Sequence, residues 1–188
     1  SKILEVITDK TKAVFLSHIQ GFNALTDKLL DVLDEKGIAL IEDVCESHGA
    51  THKDKRLGSF GWTSNFSFYY AHHMSTIEGG MICTNDESAY RTLRMLRSHG
   101  MVRELGSKSE EERWISAYPE LNPKFIFSFP AYNLRNTEIG AVLGLSQLKR
   151  LDMNNEIRTQ NMLRFLDRID KQKFQTDFYI EGSSNYAF

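Results

Sequence analysis

The sequence predicts an α/β protein: a mixed but mainly parallel sheet flanked by helices, with a long helical stretch late in the chain. Three observations predict it. Two short apolar runs, "KAVFLSH" (Lys12 to His18) and "IALIEDV" (Ile38 to Val44), have the length and composition of buried strands. Between them, "NALTDKLLDVLDEKG" repeats leucine at helical spacing, giving strand, helix, strand with short joints, as in a parallel crossover unit. From Asn136 to about Lys171 the pattern is helical almost throughout, as two helices or one bent one.

In order along the chain, the first helix presents Leu25, Leu29, Leu30 and Leu33 on one face, and Gly37 is placed to end it. "SHGATHKDKRLGSFG" is a polar connection punctuated by glycine. "NFSFYYA" (Asn65 to Ala71) is expected to be a strand with Ser67, Tyr69 and Ala71 on one face and Phe66, Phe68 and Tyr70 on the other. "GGMICT" is its expected partner. "NDESAYRTLRMLRSHG" reads as an amphipathic helix with Asn85 or Asp86 as N-cap, acids in the first turn and Gly100 as the stop. Met101 to Pro130, with its acidic "SKSEEE" and aromatic "KFIFSFPAY", is expected to be irregular, and "KFQTDFYIEG" to be a late strand.

Composition narrows the function classes. The 188 residues suffice for one domain with a real core, and 41% hydrophobic with 26% charged residues is ordinary for a globular chain. A net charge of -2 gives no basic footprint for nucleic acid or an anionic membrane. No apolar run approaches the ~20 residues of a membrane span, and "SKILEVITDKTK" lacks the apolar core of a signal peptide. Cys45 and Cys83 read as buried, reduced thiols of a cytoplasmic protein, and their separation argues against a metal site. The chain begins without Met and stops at "GSSNYAF", so it reads as an excerpt of a longer polypeptide.

Candidate chemistry gathers at strand ends. Asp43 closes a predicted parallel strand, where open α/β sheets place their ligand sites. Its carboxylate either caps a helix or turn, or meets a cation, a donor or a protonated cofactor nitrogen. "SFYYAHHMSTIEGG" puts His72 and His73 after a strand-like run and before a glycine pair. With the hydroxyl of Ser67 they could hold an anion and a proton-transfer group on one small ligand. Surface polarity or incidental metal binding is the simpler account of the pair. Gly79 and Gly80 permit close backbone approach.

The stretch "LIEDVCESHGATHKDKRLGSFGWTSNFSFYYAHHMSTIEGGMICTNDESAYRTLRMLRSHG" (Leu40 to Gly100) resembles the middle of the DegT/DnrJ/EryC1/StrS sugar aminotransferases and dehydratases. These enzymes use pyridoxal phosphate and share fold type I with aspartate aminotransferase. "YNLRNTEIGAVLGLSQLKRL" (Tyr132 to Leu151) resembles a later segment of the same family. The family's aminotransferases carry, at the position of His72, the lysine that holds the cofactor covalently. Histidine there, Glu46 in place of the commoner glutamine, and the terminal "EGSSNYAF" are similar to one branch. Those relatives remove the 3-hydroxyl of a GDP-linked 4-keto-6-deoxymannose on the way to colitose, a sugar of lipopolysaccharide O-antigens.

The resemblance implies a set of roles. Glutamate would convert pyridoxal phosphate to pyridoxamine phosphate, the amine would condense with the sugar's 4-keto group, and His72 would remove a proton at cofactor C4′. Asp43 would pair with the pyridinium nitrogen, Glu46 would lie near the ring 3-hydroxyl, and Ser67 would hydrogen-bond the phosphate. Asn133 would reach the phosphate of a neighbouring subunit's cofactor, because family active sites form across a homodimer interface. His99 and Arg135 would contact substrate or the glutamate carboxylate, and His73 would be structural. Residues 1–171 would be part of the large domain and residues 172–188 the start of a small C-terminal domain. A sugar aminotransferase, an iron–sulfur-assisted CDP-hexulose 3-dehydratase (for whose cluster Cys45 and Cys83 do not suffice) and an inactive α/β fragment are the alternatives.

Overall fold

The computed structural model describes residues 2–187. They form two compact units, one running to Cys83 and resuming at Glu138, the other Thr84–Thr137.

The first unit is organised by the crossover expected from sequence. Strand β1 (Ala13–Ser17) leads through helix α2 (Asp27–Glu35) to β2 (Ala39–Asp43), after a short helix α1 (Lys2–Val6). Thr26 starts α2 by accepting the Leu29 N–H at 3.2 Å on its side-chain oxygen. Gly37, at φ +62°, follows its last turn, a conformation that L side chains disfavour. The helix turns Leu29 and Leu33 inward onto Leu16, Leu40, Val44 and Leu57. Burial of each such side chain is worth roughly 1.5–3 kcal/mol.

After two minimal strands, β3 (Thr51–His52) and β4 (Lys55–Arg56), the chain returns to the sheet as β5 (Thr63–Ser67) and then β6 (Gly80–Thr84). The four-stranded order is β1-β2-β5-β6, with β1, β2 and β5 parallel. The carboxyl ends of three strands therefore open on one edge, with Ser17, Asp43 and Asn65 level with one another.

Three sequence expectations need correction. The strand expected to reach Ala71 ends at Ser67. There the Ser67 hydroxyl accepts the Tyr69 N–H at 3.2 Å and the Tyr69 carbonyl accepts the His72 N–H at 3.0 Å, so local bonds turn the chain out of the sheet. The stretch expected to be a late strand forms none among the described residues. Its Phe178 instead stacks on Phe22, with ring centroids 5.3 Å apart. The late helical stretch is two helices, α5 (Glu138–Leu148) and α6 (Leu151–Arg168).

In the second unit, helix α3 (Glu87–Leu96) begins as expected, with Asp86 accepting the Ala89 N–H at 2.7 Å. The third correction lies here: the acidic stretch taken as irregular opens helix α4 (Lys108–Ala117). Glu110 and Glu111 sit in its first turn, where the exposed N–H groups favour negative charge. Arg91 pairs with both Glu87 and Glu110. Met95, Val102, Leu105 and Ile126 make a separate small core. Gly100, at φ +73°, lies so close to Phe129 that a Cβ would come within 2.1 Å of its carbonyl oxygen.

Candidate active site

Asp43 is held by its neighbours in the sheet. Because Ser17, Asp43 and Asn65 are in register across three parallel strands, their side chains leave the same face. Oδ2 of Asp43 accepts from Ser17 Oγ at 3.0 Å, and Oδ1 accepts from Asn65 Nδ2 at 2.9 Å and from the Cys45 N–H at 3.1 Å. The local turn and the cross-strand site, left as alternatives by the sequence, are both present on one carboxylate. Partial burial pushes the Asp43 carboxyl up, but the hydrogen bonds from Cys45, Ser17 and Asn65 outweigh it and hold its pKa below the ordinary value. Cys45 responds oppositely: burial, then the adjacent Asp43 charge, push its thiol up to about 12. Both cysteines are free thiols.

One residue back, Glu42 is sealed from solvent and organises the glycine-rich connection. Oε1 accepts the Gly58 N–H at 2.7 Å, and Oε2 accepts those of Phe60 at 2.8 Å and Gly61 at 2.7 Å. His18 accepts the Ala24 N–H on Nδ1 at 3.2 Å, which leaves its proton on Nε2, 3.5 Å from Glu42 Oε1. Burial raises the Glu42 carboxyl, and these donors more than reverse it.

His72 lies in a loop clamped at both ends. The Phe68 N–H donates to the Gly79 carbonyl at 2.8 Å, and the Thr76 N–H to the Phe68 carbonyl at 2.9 Å. Gln147 of α5 accepts the Ser75 N–H at 2.9 Å and donates back to the Ser75 carbonyl. Ile77 sits at φ +73°, a strained value for a β-branched residue. Gly79 serves close approach: a Cβ there would lie 2.5 Å from Thr76 Oγ1. Among the described residues the buried Nδ1 of His72 has no hydrogen-bond partner, and the ring meets Tyr69 and Tyr186 edge-on, with centroids 5.5 and 5.4 Å away.

His73 points inward. Its Nε2 lies 2.9 Å from the Ser184 carbonyl, and its ring stacks on His48 at 5.5 Å. Burial is the main cause holding both imidazoles down to about 4, so they are neutral at pH 7.

The first unit thus holds Asp43, Glu46, Ser67 and His72, all at or just beyond strand ends. Glu46 accepts the Gln20 N–H at 2.8 Å. His99, Asn133 and Arg135 lie in the second unit. There the His99 N–H donates to the Tyr132 carbonyl at 2.6 Å, and Asn133 accepts on Oδ1 from Arg135 Nε at 3.1 Å. Ser17, Asn65, Glu42, Gln147 and Tyr186 escaped the sequence reading. Strand register would have found the first two, because residues level with Asp43 on adjacent parallel strands share its face.

A carboxylate kept ionised by neutral donors at the carboxyl edge of a parallel sheet, with an unpartnered imidazole in a fixed loop, suits a ligand carrying a protonated ring nitrogen and an acidic carbon. The model of the DegT/DnrJ/EryC1/StrS aminotransferase family matches residues 1–179, and the chain belongs to that family. It is 37% identical over 164 residues to GDP-4-keto-6-deoxy-D-mannose 3-dehydratase of Escherichia coli O55:H7, covering 87% of this chain and 42% of that protein. It is 34% identical over 152 residues to GDP-perosamine synthase of Caulobacter vibrioides, covering 81% and 36%. The E. coli GDP-4-keto-6-deoxy-D-mannose-3-dehydratase with bound hydrated PLP superposes with a TM-score of 0.80 at 33% identity, over 98% of this chain and 47% of that one. The expected fold-type-I architecture is therefore the fold observed. The chain spans less than half the length of these relatives.

Proposed function

We propose that this chain carries part of the active site of a pyridoxamine phosphate-dependent 3-dehydratase of a nucleotide-linked 4-keto-6-deoxyhexose. GDP-4-keto-6-deoxymannose is the substrate favoured by the relatives, and L-glutamate is the amino donor. The observation that carries the reading is His72. It stands in the clamped loop with an unpartnered buried Nδ1, and the sequence has no lysine anywhere from Arg56 to Ser107. A lysine can hold a carbonyl cofactor covalently and also move a proton; an imidazole does only the second.

The residues present fit the cofactor. Asp43, ionised and fixed by Ser17, Asn65 and Cys45, would pair with a pyridinium N–H and keep it protonated. Ser67 uses its oxygen to accept the Tyr69 N–H, which leaves its hydroxyl hydrogen to donate to a phosphate. Glu46 would lie at the ring 3-hydroxyl. When bound, pyridoxamine phosphate supplies an amine for the sugar's 4-keto carbon and a ring that draws off the electron pair left by proton removal. His72 would take the proton at cofactor C4′. The rings of Tyr69 and Tyr186 meet it edge-on.

Asn133 reaches the cofactor phosphate of a second subunit in a homodimer with shared sites, and His99 and Arg135 meet sugar or glutamate. Residues 1–171 belong to the large domain and residues 172–188 begin the small one. No helix among the described residues is long and apolar enough to cross a membrane. Two free thiols accord with a cytoplasmic setting.

The test is an absorbance titration of the full chain with pyridoxamine phosphate, then with GDP-4-keto-6-deoxymannose, in native protein and His72→Asn. Cofactor bands that respond to sugar in the native chain, with turnover confined to it, are expected. Equal turnover by His72→Asn would sink the reading.

A further inference from the structure

We propose that Tyr186 is a positioning residue for His72, delivered to it by the segment from Gly182 to Tyr186. The proposal rests on the reading of His72 as the base and extends it to a residue far away in sequence.

That segment is threaded into the first unit by backbone bonds on both sides. The Thr51 N–H donates to the Gly182 carbonyl at 2.7 Å, the Ser184 N–H to the Gly21 carbonyl at 2.9 Å, and the Tyr186 N–H to the Gln20 carbonyl at 3.1 Å. Ser184 adds Oγ to the His48 carbonyl at 2.7 Å and offers its own carbonyl to His73 Nε2. Ser184 and Asn185 are each 1% exposed, so the seating is interior. Gly21 makes it possible. At φ +87°, a Cβ on Gly21 would fall 1.8 Å from the Ser184 carbonyl oxygen, so only glycine lets the segment in.

The receiving edge is itself under tension and tied to the site. Gln20 adopts φ +53°, uncommon for a residue with a side chain, and its N–H is held by Glu46 Oε2 at 2.8 Å. One continuous path then runs from the Glu46 carboxylate through the Gln20 peptide to the Tyr186 backbone, and from the Tyr186 ring to His72. The ring meets His72 edge-on, interplanar angle 75°, and makes a tilted approach to His73 at 38°. Among the described residues none hydrogen-bonds the buried Nδ1 of His72, so its orientation is set by these ring contacts with Tyr186 and Tyr69. An aromatic ring can do this without the hydroxyl; an aliphatic side chain cannot reproduce the flat face.

The experiment is NMR of the histidine ring protons in the full chain at fixed pH, with His72→Asn assigning the His72 signals. Tyr186→Phe and Tyr186→Leu are compared. The proposal expects the His72 resonances of Tyr186→Phe to match the native chain. In Tyr186→Leu they lose their ring-current shift and broaden, while the His52 signal, whose ring nitrogens are held by Asn23 and Asp27, stays in place. His72 resonances unchanged in Tyr186→Leu overturn it. So does a variant in which all histidines move together, which makes the residue structural only. The catalytic reading fails separately, by equal cofactor response of native chain and His72→Asn with the NMR pattern intact.

Discussion

Asn65 stands level with Asp43 on the adjacent parallel strand and divides its amide between two acceptors, Asp43 Oδ1 at 2.9 Å and Cys45 Sγ at 3.1 Å. One side chain therefore fixes both the carboxylate assigned to the cofactor nitrogen and the thiol beside it. A hydrogen bond to a charged group contributes about 1.5–3 kcal/mol. Asn65→Leu is expected to weaken pyridoxamine phosphate binding by roughly tenfold or more, measured by absorbance titration, with Ser17→Ala a milder case. Unchanged affinity in Asn65→Leu would show that Asp43 needs no such support.

The same neighbourhood silences Cys45. With its thiol pushed up to about 12 by burial and by Asp43, the reactive thiolate is scarce at pH 8. Alkylation of Cys45 by iodoacetamide in the native chain should run on the order of 1,000-fold slower than that of free cysteine. Peptide mass spectrometry over a time course reads this, and labelling at the free-thiol rate would contradict the described packing.

Glu42 predicts a stability effect without a catalytic one. Its carboxylate, itself out of solvent, satisfies three backbone N–H groups and faces the His18 proton. A glutamine there turns an NH₂ toward donors, so Glu42→Gln should cost about 2–4 kcal/mol in urea unfolding. A loss under 1 kcal/mol would mean the loop does not depend on the charge.

Acid sensitivity should begin at the histidines rather than the carboxylates. His48 and His73 are lowered from 6.5 to about 4, chiefly by burial, so the unfolded chain binds their protons first as pH falls. Their contribution is complete above pH 6.5 and is lost between 6.5 and about 4. Each is worth on the order of 3 kcal/mol, and as stacked neighbours they do not simply add. Glu42, lowered below 4.5, adds a further loss below that pH. Unfolding midpoints measured from pH 7.5 to 4 should fall steadily, and a flat profile down to pH 5 would contradict the neutral, buried pair.

Much of this was legible in the chain, and the reasons differ by element. α2 announced itself because leucine spacing and a terminal glycine agree at Leu29, Leu33 and Gly37, and the structure adds the cap at Thr26. β1 and β2 showed as apolar runs flanking it. β5 misled because Phe68, Tyr69 and Tyr70 look strand-like, while the hydroxyl of Ser67 ends the strand through a bond that composition does not display. α4 was hidden by its acidity, which belongs to a helix N-terminus as readily as to a loop. His72 was visible as a substitution within a familiar pattern. Tyr186 was not, because nothing local marks a residue whose partner lies across the unit.

That distance sets an order of events. The hydrogen bond from Ser184 to the His48 carbonyl joins residues 136 positions apart, whereas β1, α2 and β2 assemble from neighbours in sequence. Long loops close late, since their entropy is spent before their contacts return anything. The sheet and the row of Ser17, Asp43 and Asn65 across it should therefore form early in refolding, with the surroundings of His72 maturing last. A chain caught between those stages would hold Asp43 in its final setting while His72 still turned freely.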